Sequence, residues 1–137
     1  MAVLTMQTMR YINVLDQATK VKTSKCFVHN NTVFFAVPKS MVAKAIGPGA
    51  KHVKAIQVKL GRKVKIIEEA AENGVSKFVS SIVAPVEFTS AEIKDGELVI
   101  KAGNMQNKAG LLGRHKKRLE ELKEIVRGVF RVDLKVI

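Results

Sequence analysis

The chain contains no tryptophan, one tyrosine, one cysteine and three prolines among its 137 residues. So few Trp and Tyr leave little with which to build an exposed aromatic platform for stacking. A single cysteine excludes an internal disulfide. Cys26 sits in the strand-like run Lys25-Cys26-Phe27-Val28 and reads as a small core residue. No apolar run reaches membrane-spanning length. Arg10, Asn13 and Asp16 interrupt the apolar residues of the N-terminus, so that segment reads as an amphipathic helix and not as a secretory signal. His29, His52 and His115 stand far apart with no Cys or carboxylate pattern beside them, so no metal site is expected. No nucleophile–base pairing or acidic cluster suggests catalysis, and the chain is not read as an enzyme. Hydrophobic residues make up 47% of the chain, which is enough for a core and argues against global disorder.

Acidic residues are missing in a pattern. Residues 17–67 hold eleven Lys/Arg and no Asp or Glu. Residues 68–97 reverse this, with seven acids against Lys77 and Lys94, and residues 98–137 turn basic again, with ten Lys/Arg against four acids. The net charge is +12. A generic solvated surface mixes signs, whereas segregated charge costs self-repulsion and points to polyanion binding. Nucleic acid fits best, and an acidic protein surface is the alternative.

The apolar periodicity marks out the elements of the first half. Thr5 is placed to cap a helix running to about Ala18, with Met9, Ile12 and Leu15 as its stripe and Tyr11 and Val14 beside it. Thr23–His29 and Thr32–Val37 read as strands about a tight Asn30-Asn31 turn. Pro38 ends the second strand and opens a short helix, Lys39–Ala45. After a glycine loop, a helix from about Ala50 to Leu60 turns Val53, Ile56 and Leu60 inward, Gly61 stops it, and Lys63–Ile67 alternates as a strand.

The second half repeats the order. Val75–Val83 reads as a helix carrying Phe78, Val79 and Ile82, broken by Pro85. Val86–Ile93 and Glu97–Lys101 read as a hairpin about Lys94-Asp95-Gly96. Met105–Ala109 reads as a helical turn, and Arg114–Arg127 as a helix burying Leu119, Leu122, Ile125 and Val126. Gly128 is expected to stop it, with Val129–Val136 as the last strand. Each half is thus helix–strand–strand–helix–loop–helix–strand, an α+β fold in two domains, 1–70 and 71–137, joined through the acidic stretch Glu68–Gly74.

Two glycine loops carry the functional signal. The first, Gly47-Pro48-Gly49-Ala50, opens onto Lys51, His52 and Lys54. The second is read as Gly110-Leu111-Leu112-Gly113, opening onto Arg114, His115, Lys116, Lys117 and Arg118. Aligning Gly47 with Gly110 also aligns Phe34–Val37 with Glu97–Ile100 and places His52 opposite His115. Small residues let a nucleic-acid backbone approach the main chain, and a helix N-terminus offers N–H donors and partial positive charge. Taken alone, Gly47-Pro48-Gly49 could be a simple helix–helix turn, and Arg114–Arg118 a solvated helix face.

Strand, short helix, Gly-x-x-Gly loop and basic helix resemble the KH domain, an RNA-binding module. A helix and hairpin before the loop, with a strand after it, resemble its prokaryotic type II arrangement. Two such modules over residues 5–137 resemble the NusA family of transcription factors, in the short archaeal form. The first loop departs from the pattern by having Ala50 in place of the final Gly, and the second by carrying Leu111 and Leu112.

The resemblance implies two tandem type II KH domains, each a three-stranded sheet packed against helices. It implies single-stranded RNA as the partner, with Gly47, Pro48, Gly49, Ala50, Lys51, His52 and Lys54 in one clamp. Gly110, Leu111, Leu112, Gly113, Arg114, His115, Lys116 and Lys117 would form the other. It further implies a role in transcription termination or antitermination, contact with RNA polymerase, a cytoplasmic location, no membrane partner and no cofactor. A ribosome-associated KH protein and an adaptor docking on an acidic protein are the rival readings.

Overall fold

Helix α1 (Met6–Thr19) buries Thr8, Tyr11, Val14, Leu15 and Thr19. Tyr11 takes the centre of the buried arc, which turns Met9 out to 51% exposure. The stripe is therefore rotated from the expected Met9, Ile12 and Leu15, and Ile12 packs only at the edge of the core. The Thr19 hydroxyl closes the helix, donating to the Leu15 carbonyl at 2.8 Å and accepting from the Val21 amide at 3.0 Å. This computed structural model describes residues 6–23, 25–70 and 74–137. The expected cap at Thr5 and the middle of the expected junction, 71–73, lie outside the described residues. One unit of the chain ends at Glu69 and the other begins at Ala70.

In the first unit, β1 (Lys25–His29) and β2 (Thr32–Val37) pair antiparallel through a two-residue turn. Asn30 and Asn31 hold it with φ of 51° and 59°, the left-handed pair that matches strand twist. Strand β1 starts later than expected because Thr23 leaves the ladder. Its hydroxyl donates to the Ala36 carbonyl and accepts from the Lys25 amide. A 3₁₀ turn, Lys39–Met41, leads into α2 (Val42–Ile46), and α3 (Lys51–Leu60) follows the loop. Gly61 ends α3 with φ 66°, as expected.

Strand β3 (Lys63–Glu68) then pairs parallel with β2, as the helical crossover requires. The Gln57 side chain accepts from the Val64 amide at 3.0 Å, tying α3 to the start of β3. Tyr11, Leu15, Phe35, Val37, Ile56 and Val64 are among the buried residues of the core, with Val53 and Leu60 packed against it.

The second unit has the same order and pairing. Helix α4 (Val75–Val83) buries Phe78, Val79, Ile82 and Val83. Strands β4 (Ser90–Lys94) and β5 (Glu97–Lys101) form a hairpin on Asp95 and Gly96, with φ of 51° and 74°. The segment before Ser90 is not strand, because the Val86 amide turns back to the Val83 carbonyl at 3.0 Å. Strand β6 (Asp133–Val136) pairs parallel with β5.

One helix runs longer than expected and another is displaced by three residues toward the C-terminus. Helix α5 (Met105–Leu112) is capped by the Asn104 side chain, which accepts from the Asn107 amide at 2.7 Å, and it continues through Gly110. Helix α6 (Lys117–Phe130) passes through Gly128 and ends on Arg131 in the left-handed conformation. A helix tolerates an interior glycine at a cost of about 1 kcal/mol. Here the extra turn seats Phe130 edge-on against Phe78, with ring centres 5.6 Å apart. Among the described residues each unit is thus a three-stranded sheet packed with three α-helices, compatible with KH-type domains.

Candidate nucleic-acid interface

The link from α2 to α3 is a turn with an unusual backbone. Gly47 sits at φ 77°, ψ 166°, Gly49 at φ 60°, ψ 26°, and Ala50 at φ 62°, ψ 28°. The Ala50 amide donates to the Gly47 carbonyl at 3.1 Å, and the Lys51 amide donates to the Pro48 carbonyl. The turn is therefore closed on itself before α3 begins.

The link from α5 to α6 repeats this backbone at a different place from the one the glycine spacing suggested. Gly113 sits at φ 71°, ψ 177°, His115 at φ 56°, ψ 28°, and Lys116 at φ 59°, ψ 22°. The Lys116 amide donates to the Gly113 carbonyl at 3.2 Å. Gly47 thus corresponds to Gly113, Pro48 to Arg114, Gly49 to His115, Ala50 to Lys116 and Lys51 to Lys117.

Gly110, Leu111 and Leu112, expected in the loop, belong to α5. Leu111 is 2% exposed and fills the core. A Cβ on Gly110 would lie 3.0 Å from a Val86 methyl, so this glycine lets α5 approach the segment that follows α4. His115 is not the partner of His52; Arg118 is.

The matching of His52 and Arg118 is physical as well as positional. A Cβ on Gly47 would lie 2.8 Å from His52 Nδ1, and a Cβ on Gly113 would lie 2.7 Å from Arg118 Cγ. The first glycine of each turn is required by its positive φ and by a side chain folded over it. His52 Nδ1–H donates to the Lys44 carbonyl at 2.9 Å, joining the end of α2 to the start of α3. That bond places the proton of a neutral His52 on Nδ1 and leaves Nε2 as the acceptor. Gly49 has open space around its Cα.

Around both turns the surface is cationic. Lys51 and Lys54 are exposed on the first, and Arg114, His115, Lys116 and Lys117 on the second. The first turn holds no charge of its own, and the second holds Arg114 and Lys116 within it. Arg118 was absent from the expected site. Its place could have been found from the apolar register, because Leu119, Leu122 and Val126 repeat the spacing of Val53, Ile56 and Leu60.

Among the described residues no group of His, Cys, Asp and Glu could hold a metal ion. No described helix is long and apolar enough to cross a membrane.

No established family profile matches the chain. Individual relatives do. A protein of Methanocaldococcus jannaschii named probable transcription termination protein NusA is 31% identical over 91 residues, which cover 66% of this chain and 49% of that protein. The chain therefore matches about half the length of that relative. Proteins of the same name from Halobacterium salinarum and Halococcus morrhuae match over more of their length. The first is 23% identical over 124 residues, covering 89% of this chain and 88% of the relative. The second is 21% identical over 127 residues, covering 91% and 90%. Among solved structures, the crystal structure of APE1850 superposes with a TM-score of 0.65 at 24% identity, covering 98% of this chain and 99% of that one. At that identity the likeness establishes a shared fold. With three archaeal relatives of that name matched across most of its length, the chain is similar to the short archaeal form of NusA.

Proposed function

We propose that the two units are type II KH modules, residues 1–70 and 71–137, which grip single-stranded RNA as a non-enzymatic transcription factor. The carrying observation is the repeated turn. The same left-handed backbone occurs twice, each time opening onto a helix with basic residues in its first turn. Left-handed non-glycine residues cost energy and gather at ligand clamps. In each module the turn would hold the sugar–phosphate backbone of about four nucleotides. Amides of the first turns of α3 and α6 would face phosphate oxygens, and Lys51, Lys54, Arg114, Lys116 and Lys117 would add Coulomb attraction. Bases would lie in the groove beside the turn. The names of the relatives support a role in transcription termination, with nascent transcript as the RNA, RNA polymerase as a partner and the cytoplasm as the compartment.

The test is fluorescence anisotropy with short single-stranded RNAs and a duplex control, comparing wild type with Gly49→Asp and His115→Asp. Asp tolerates a left-handed backbone, and Gly49 has room for a side chain. These variants therefore place a carboxylate in each clamp without breaking the fold. Gly113→Asp would confound packing with charge, because its Cβ meets Arg118. Single strands should be preferred, and each variant should weaken them by about tenfold or more. Equal binding of duplex and single strands, unchanged in both variants, would refute the clamps.

A further inference from the structure

The outer faces of α3 and α6 differ in charge at matching positions beyond their first residue. On α3, Lys51, Lys54, Ala55, Val58 and Lys59 are exposed, opposite Val53, Ile56 and Leu60, which pack on the core. On α6, the positions matching Lys54, Ala55 and Val58 are Glu120, Glu121 and Glu124. Glu120 and Glu124 are exposed. A phosphate chain leaving the second turn along α6 meets Glu120, paired with Lys123, and then Glu124, so it gains no run of cations there. One leaving the first turn along α3 meets three ammonium groups over about 12 Å of helix.

Val58 adds a second observation. It is 86% exposed, so it contributes nothing to the core, and valine is a weak helix former. Lone surface hydrophobes are common, but this one lies on the arc between Lys54 and Lys59. A surface that pairs ammonium groups with an apolar spot suits a chain of phosphates carrying flat base faces. An acidic protein could use the same lysines. A nucleic-acid strand is favoured because the track begins at Lys51, the first residue of α3, without a break from the turn.

We infer that the outer face of α3 extends the RNA-binding surface of the first unit, taking the sugar–phosphate backbone of nucleotides that continue past the clamp. Beyond Lys54 of the clamp, Lys59 holds a phosphate and Val58 receives the face of a sugar or base. The second unit has no such extension. This rests on the clamp reading given above, and the test separates the two.

The variant is Val58→Glu with Lys59→Glu, alongside the milder Lys59→Gln. Neither residue belongs to the clamp, and circular dichroism checks that the helix is kept. The probes are RNAs of about four nucleotides, which fill one clamp, and about twelve, which run beyond it. The double variant should bind the short RNA as wild type does and the long RNA about tenfold more weakly. With Lys59→Gln, the log–log salt slope for the long RNA should fall by roughly 0.7, one phosphate contact. Unchanged affinity and slope for the long RNA, or equal losses for both lengths, would overturn the extension. So would a variant that keeps RNA but loses RNA polymerase in a pull-down, which would give this face to an acidic protein. Failure of wild type to bind even the short RNA would instead refute the clamp itself.

Discussion

Ala50 sits at φ 62°, where the clamp pattern has glycine. A left-handed conformation costs an L-residue roughly 1–2 kcal/mol. Ala50→Gly should therefore stabilise the first unit by about 1 kcal/mol and raise its thermal midpoint by about 5 °C, read by calorimetry. A second residue-scale prediction concerns Cys26. It lies 6% exposed among Tyr11, Phe35 and Val64, and burial pushes its thiol from 9.0 up to about 12. Between those values the unfolded chain has lost the thiol proton while the folded chain keeps it, so the unfolded state binds fewer protons. Stability is then intact below pH 9.0 and declines as pH rises toward 12. Cys26→Ala should flatten the Cys26 share of that decline in denaturant melts, and native Cys26 should resist alkylation until the chain unfolds.

At the scale of elements, the helices that carry the turns are fixed by packing and not by surface charge. Leu122 is 0% exposed, and Leu122→Ala should cost about 3 kcal/mol in denaturant unfolding. The Glu120–Lys123 pair on the same helix spans 3.8 Å with Glu120 mostly exposed. Glu120→Gln should change stability by only a few tenths of a kcal/mol. The same contrast explains what was legible in the chain. Strand β2 and helix α4 stand at their expected bounds, because a strong apolar period with clear breakers leaves one solution. Strands β4 and β6 are shorter than expected. Their ends were decided by a turn at Val86 and by the extra turn of α6, which docks Phe130 on Phe78. Neither contact leaves a local mark.

At the scale of the whole molecule, the two units divide the charge unevenly around one backbone design. The second turn carries Arg114 and Lys116 where the first carries Pro48 and Ala50. Arg114→Gln with Lys116→Gln should lower the salt slope for single-stranded RNA by roughly 1.4, two contacts, whereas Lys51→Gln should lower it by roughly 0.7. Titrations at several salt concentrations would check both. The strain is likewise uneven. Ala50 is the one left-handed non-glycine residue within the first turn, whereas His115 and Lys116 both take that conformation in the second. His is among the residues that enter this region most readily.

The α+β class, the repeated element order, the segregated positive charge and the place of the first turn are all legible in the amino-acid sequence. These follow from periodicity, breakers and composition, which are local. Tertiary structure alone decided where the second turn lies. Gly110 and Gly113 have the spacing of a clamp, yet Gly110 is spent on bringing α5 against Val86, and the turn starts at Gly113 beneath Arg118. A glycine that admits a neighbouring side chain and a glycine that admits a left-handed backbone are the same letter. Only the atoms around each one tell them apart.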